Sequence, residues 1–171
     1  MRCWKKFLRP SHSTGETIDD PFSRHDAAIH WRLGVRATGG LVDHAGAGLG
    51  FGIAALAARP LDGRVMLATR LDWSHRELDT IGANAGFSYI ALHTRSLVVS
   101  TGLAMRGEVR LQDSLDMMEV SRVGMAAAAD VDLAVLRLPL AFGLRFEQGF
   151  TELVEGARAR AVLVEVGYDW R

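Results

Sequence analysis

Apolar and charged residues alternate along five segments of the chain, and this alternation restricts the fold more than any other feature. From Trp31 to Ala37 every second residue is apolar, while Arg32 and Arg36 fall on the opposite face. The same sorting recurs in four further segments: 64–74, 96–111, 136–146 and 162–170. A helix cannot produce this pattern, because a period of 3.6 would scatter the residues around its circumference. The pattern predicts β-strands with one uncharged face.

Turn signals separate these segments. Residues 60–63, Pro-Leu-Asp-Gly, form a tight-turn sequence, and residues 44–46 and 148–149 suit looser loops. Less regular strands are predicted in three places: near 48–58, 84–93 and 118–128. The sequence therefore predicts an all-β fold, a closed antiparallel up-and-down barrel of about eight strands over residues 28–171. A flexible N-terminal segment, residues 1–27, precedes it.

Composition excludes two broad classes. The 171 residues carry no net charge, which argues against a nucleic-acid partner, because such proteins use a positive field to attract phosphates. Hydrophobic residues make up 49%, yet no stretch approaches the roughly 20 apolar residues that a membrane-spanning helix needs. A membrane-spanning strand needs only about 9–11 residues, so the composition is compatible with a membrane barrel.

In such a barrel the uncharged face meets lipid and the charged face lines the lumen. The lumen-facing charges are predicted to be Arg32, Arg36, Arg64, Arg70, Asp72, Arg106, Glu108, Arg110, Arg137, Arg145, Glu165 and Asp169. Eight strands leave an interior only just filled by side chains, which favours cross-lumen ion pairs, with arginine in excess, over an open pore. An aromatic girdle is predicted from Trp31, Trp73, Tyr168 and Trp170.

Four stretches resemble strands of the bacterial outer-membrane β-barrel family, in its small eight-stranded porin-like and membrane-anchor-like domains. They are Arg32–Ala37, Gly50–Ser74, Leu136–Leu140 and Val166–Trp170. The resemblance implies a bacterial outer-membrane location and the lipid bilayer as partner. The family usually ends on an aromatic residue, whereas here Arg171 follows Trp170. No signal peptide is visible, because Phe7-Leu8 runs directly into Arg9-Pro10.

No cofactor or metal site is predicted. Gly46, Gly48, Gly50 and Gly52 lack the helix, lysine and hydroxyl of a phosphate loop and instead suit a strand kept slim on the lumen side. The six histidines have no metal-ligand spacing. Two Ser/His combinations could serve a hydrolase, with Asp72 or Asp79 orienting the imidazole: Ser74 with His75, and His93 with Ser96.

Three functional hypotheses follow. The leading one is a non-enzymatic, monomeric outer-membrane barrel with a structural or surface-interaction role. Its loops, which offer the surface for an extracellular partner, are predicted near 41–47, 77–83, 112–116 and 147–156. The second is a soluble lipocalin-like barrel for a small apolar ligand, which requires Trp31, Leu71 and Val164 inside and the arginines in water. The third is a lipid-modifying outer-membrane enzyme.

Overall fold

Eight antiparallel strands close into one barrel in a computed structural model, which confirms the predicted fold class. The structure describes residues 31–43, 47–76, 78–112, 119–154 and 157–170. Each strand pairs with the next along the chain, and the last pairs with the first. The strands are β1 (Arg32–Asp43), β2 (Ala47–Asp62), β3 (Val65–Arg76), β4 (Leu78–His93), β5 (Leu97–Gln112), β6 (Glu119–Val135), β7 (Leu140–Val154) and β8 (Ala157–Trp170).

The pairing of β1 with β8 closes the sheet and leaves no edge strand exposed. Leu33 lies opposite Trp170 at one end of this pair, and Asp43 lies opposite Arg160 at the other. The end that holds Trp170 also holds three short turns, residues 63–64, 94–96 and 136–139, and is called the turn end. The opposite end is called the loop end. Gly63 supplies the positive φ of 44° that the first turn requires.

The strand period of 2 places alternate residues inside and outside the barrel. Outward apolar side chains such as Leu103 and Val164 are exposed, while inward residues are buried. Seven of the eleven buried apolar residues that the structure describes are alanines, and fourteen buried residues are polar or charged. The interior is therefore a polar core, whereas the hydrophobic surface faces outward.

Several predicted strand ends are wrong. Residues 136–139 form the turn between β6 and β7, so β7 begins at Leu140. Pro139 has no backbone N–H to donate to a sheet, which suits a turn position. β7 continues to Val154, so Gln148-Gly149 lies in a strand and not in a loop. β6 runs to Val135, seven residues beyond its predicted end. The predicted N-terminal segment, 1–27, lies outside the described residues.

Candidate functional site

The predicted lumen charges fall into three groups. Eight are buried inside the barrel: Arg36, Arg70, Asp72, Arg106, Glu108, Arg145, Glu165 and Asp169. Three are half-buried: Arg32, Arg64 and Arg110. Arg137 is exposed, and its predicted lumen position is wrong because it lies in the turn before β7. Arg64 likewise lies in a turn, between β2 and β3, and not along a strand.

Two arginines and two aspartates meet near the turn end. This turn-end cluster consists of Arg32, Arg36, Asp132 and Asp169. Asp169 accepts one hydrogen bond from each arginine, from Arg32 Nε and from Arg36 Nη1, both at 2.6 Å. Arg32 Nη2 also donates to Asp132 Oδ2 at 3.2 Å, which links β1 to β6. The pairing of β1 with β8 brings Asp169 to both guanidinium groups, so the cluster ties the first strand to the last.

A second group surrounds Arg106 in the middle of the barrel. This central cluster consists of Arg70, Asp72, Asn84, Arg106, Glu108, Asp130, Arg145, Glu147 and Glu165. Arg106 Nη1 donates to both carboxylate oxygens of Asp72 at 2.7 Å, and its Nε donates to Glu108 at 3.0 Å. A Cβ on Gly82 would lie 2.5 Å from the guanidinium carbon of Arg106. Gly82 is thus the position that leaves room for this side chain.

Arg70 and Arg145 extend the central cluster across the lumen. Arg70 Nη1 donates to Glu165 Oε1 at 2.6 Å, and Arg145 Nε donates to Glu147 Oε1 at 2.7 Å. Asn84 connects the two sides, because it accepts from Arg145 Nη2 at 2.5 Å and donates to Asp72 Oδ2 at 3.0 Å. Buried charges are tolerated only when they are paired and hydrogen-bonded. Each arginine of the central cluster has at least one such contact, while Arg70 Nε and Arg106 Nη2 are buried without a hydrogen-bond partner among the described residues.

Four of these residues were not predicted from the sequence: Asn84, Asp130, Asp132 and Glu147. The aspartates alternate with Val131 and Leu133, so the strand period identifies them once β6 is extended past residue 128. Among the lumen side chains that the structure describes along the strands, six arginines face seven carboxylates. The predicted excess of arginine is therefore wrong.

A cavity of about 60 Å³ lies among the charged side chains. Its lining includes Arg32, Arg70, Asp130, Arg145 and Glu165, together with small residues of β2 and β3. A water molecule needs roughly 10–15 Å³ of such space, so the cavity has room for a few waters among polar partners. Four of these five charged lining residues belong to the central cluster, whose Arg106 is only 1% exposed.

The outward face carries an uncharged band. On β1 the band runs over nine residues, 33–41, and on β8 over nine residues, 162–170. Equal runs occur on β3, 65–73, and on β4, 81–89. Thr69 is a polar group within the band, and its hydroxyl donates to the Ala57 carbonyl at 3.2 Å. The length matches the about 9–11 residues that a strand needs to cross a bilayer.

Charges bound this band at both ends. At the loop end, Asp43 and Arg160 are exposed and lie opposite each other on β1 and β8. At the turn end, the exposed Arg59 lies over the Trp31 ring at 5.6 Å from its centroid.

The four predicted girdle aromatics divide between the two ends. Trp31, Tyr168 and Trp170 lie at the turn end, where the rings of Tyr168 and Trp170 are 5.0 Å apart. Trp73 lies towards the loop end of β3, edge-on to Phe51 with 6.1 Å between ring centroids.

Ser74 and His75, one of the two candidate hydrolase combinations, do not form a Ser/His pair. Ser74 points into the barrel and shares a 2.8 Å hydrogen bond with Thr80, whereas His75 points outward and contacts Asp79 at 3.1 Å. Over the described residues there is no group of three His, Cys, Asp or Glu side chains suited to a metal ion. The same residues include no helix with the length and hydropathy needed to traverse a bilayer.

No protein-family model and no curated protein sequence matches the chain. Solved structures that are similar in fold include the following three. Neisserial surface protein A has a TM-score of 0.67 and 13% identity, over 81% of this chain and 96% of that one. The N-terminal barrel domain of Pseudomonas aeruginosa OprF has a TM-score of 0.52 and 12% identity, over 81% and 97%.

The third is Ail, the attachment invasion locus protein of Yersinia pestis, which was solved with the heparin analogue sucrose octasulfate. It has a TM-score of 0.50 and 9% identity, over 83% of this chain and 100% of Ail. All three are eight-stranded outer-membrane barrels. The resemblance predicted from the sequence is thus confirmed at the level of the fold.

Proposed function

We propose that this protein spans a bacterial outer membrane as a monomeric barrel with a structural or surface-interaction role. The observation that carries the proposal is the uncharged outward band, nine residues long on each of four strands. Each charged side chain on these same strands either points inward or lies beyond the band. A sheet that exposes this much apolar surface requires a nonpolar environment around it, and hydrocarbon provides one.

The direction in which the faces point argues against the ligand-carrier hypothesis. A soluble carrier needs apolar residues inside, yet Leu71 and Val164 are each 58% exposed and Trp31 is 57% exposed. The arginines that should then lie in water are buried, Arg36 and Arg106 at 1% exposure. The inverted arrangement is therefore wrong, and the interior offers ion pairs instead of an apolar pocket.

The outer membrane is the location that we propose, because closed barrels are the strand-based way to satisfy every backbone hydrogen bond in lipid. The three similar structures support it through their shared fold. We also propose that the lumen is closed, because the turn-end and central clusters fill it with paired side chains. Closure predicts that the inserted chain does not release a small trapped dye from vesicles.

Insertion is tested by refolding the urea-denatured chain into phosphatidylcholine vesicles. We expect a heat-sensitive mobility shift on gels and protection of the barrel from added protease. The variant Leu103→Glu, which places a carboxylate in the band, should insert poorly, whereas Leu163→Met, an inward apolar exchange, should insert normally. A chain that stays soluble and monomeric without detergent would contradict the proposal.

The surface-interaction role is assigned to the loop end. The segments that join strands there, 44–46, 77, 113–118 and 155–156, contain four acidic residues and no lysine or arginine. Ail binds a polyanionic heparin analogue, but this charge pattern leads us to propose a cationic or neutral partner for the present chain. Immobilised heparin should therefore retain the reconstituted barrel no better than uncharged agarose does.

We propose that the barrel has no catalytic role. Ser74 and His75 point to opposite sides of the wall, which prevents the proton transfer that a serine nucleophile requires. Replacement of Ser74, His75, His93 and Ser96 by alanine should leave any lipid hydrolysis by the purified barrel at background. Hydrolysis that disappears with one of these replacements would favour the enzyme hypothesis.

A further inference from the structure

Arginines recur around the rim of the turn end. Each of the three short turns contains one arginine and no acidic residue: Arg64, Arg95 and Arg137. Arg59 lies at the same end of β2. Of these four, Arg64 is half-buried, while Arg59, Arg95 and Arg137 are exposed. These three exposed residues are called the arginine ring.

The topology distributes the ring around the whole perimeter. Arg59 belongs to β2, Arg95 joins β4 to β5, and Arg137 joins β6 to β7. Among the described residues outside the lumen at this end, Asp62 is the exposed acidic residue. The rim therefore carries net positive charge in separate places and not in one patch, which fits many small anionic ligands better than a single globular partner.

The aromatic residues set the depth of the ring. Tryptophan and tyrosine concentrate at the level of the lipid headgroups, and Trp31, Tyr168 and Trp170 all lie at the turn end. The guanidinium of Arg59 is held over the Trp31 ring at 5.6 Å, a cation–π contact that fixes it at that level. A guanidinium offers paired N–H donors that match the oxygens of a phosphate.

We infer that the arginine ring binds the phosphate headgroups of net-anionic phospholipids in the leaflet around the turn end. The inference rests on the proposed membrane-spanning function and adds a lipid class and a side to it. The loop end differs, because its exposed arginines, Arg158 and Arg160, lie opposite the acidic positions Glu152 and Asp43, and its connecting segments are acidic in sequence. Selection for anionic lipid is thus confined to one end of the barrel.

Lipid competition measured by tryptophan quenching tests the ring. The full chain is refolded into phosphatidylcholine vesicles that contain either brominated phosphatidylglycerol or brominated phosphatidylcholine, and the quenching gives a relative binding constant. An arginine near an anionic surface contributes about a fivefold preference, which averages to about twofold to threefold over all the surrounding lipids. We expect that preference for phosphatidylglycerol at low salt and its decline as salt rises.

The triple variant R59Q/R95Q/R137Q should lower the relative binding constant to about one. The matched control R158Q/R160Q removes two exposed arginines at the loop end and should keep the preference. The proposed lipid binding by the arginine ring is overturned if the triple variant keeps the preference, or if the control loses it to the same extent. The gel mobility shift is recorded on the same samples. If the wild-type barrel inserts but shows no lipid preference, only the proposed lipid binding by the arginine ring is overturned. If the chain does not insert, the proposed membrane-spanning function is overturned as well.

Discussion

The two faces of the barrel wall use the same strands but depend on their neighbours to different degrees. The outward Val164 projects from the wall and is 58% exposed, so any apolar side chain of similar size should be tolerated at this position. The inward Arg106 is bound to three carboxylates, those of Asp72, Glu108 and Glu147. The outer face therefore specifies a residue class, whereas the inner face specifies particular residues and their partners.

Removal of Arg106 is the strongest test of this difference. Arg106→Met leaves three buried carboxylates without their shared partner, and breaking a buried ion pair in this way costs about 3–5 kcal/mol. The measurement is the free energy of unfolding from reversible urea titration in vesicles. Arg160→Met, at an exposed loop-end position, should change it by less than about 0.5 kcal/mol. If both variants lose the same free energy of unfolding, the ion pairs of the lumen stabilise the barrel no more than an exposed arginine does.

A charge placed on the outward face tests its requirement for an apolar residue. Val166→Arg lies at the centre of the nine-residue band on β8 and should cost about 2–4 kcal/mol in a bilayer, because an arginine near the middle of the hydrocarbon is poorly solvated. Val162→Arg, next to the boundary at Arg160, should cost about 0–1 kcal/mol. The same titration measures both. If the two costs are equal, the band does not lie across the hydrocarbon.

Two neighbouring glycines compare the faces directly. Gly82 points inward, and a Cβ there would meet the Arg106 guanidinium at 2.5 Å, so Gly82→Ala should cost about 1–3 kcal/mol through overpacking. Gly107 points outward with nothing within 4 Å of a Cβ, and Gly107→Ala should be neutral or slightly stabilising. Unfolding titrations of both variants check the pair. A neutral Gly82→Ala would mean that Arg106 moves aside freely.

The sequence predicts the barrel well because strand parity is a local property. Alternation sorts Leu103 outward and Arg106 inward wherever a strand is uninterrupted, and these positions agree with the structure. Parity does not report where a strand stops, so Arg137 was assigned to a strand although Pro139 ends the turn that contains it. The same weakness cut β6 short and hid Asp130 and Asp132.

The partners within the lumen could not be predicted, because they join residues far apart in the chain. Arg36 and Asp169 are separated by 133 residues and meet only when β1 pairs with β8. Arg106 and Glu147 are 41 residues apart and lie two strands from each other. Their contact depends on strand stagger and side-chain rotamers, neither of which the alternation encodes. The composition of the lumen was therefore within reach of the sequence, whereas its network was not.

The smallest effect is expected where the lumen has more carboxylates than arginines. Asp130 has one described ion pair, to Arg145 at 3.9 Å, and shares its face of β6 with Asp132. Asp130→Asn removes both the repulsion between the two carboxylates and the weak attraction to Arg145. Because these two effects oppose each other, the free energy of unfolding should change by less than about 0.5 kcal/mol. Asp169→Asn, which weakens two 2.6 Å contacts, should lose about 2–3 kcal/mol. A loss at Asp130 as large as at Asp169 would mean that the inner face needs every carboxylate it holds, including those in excess over its arginines.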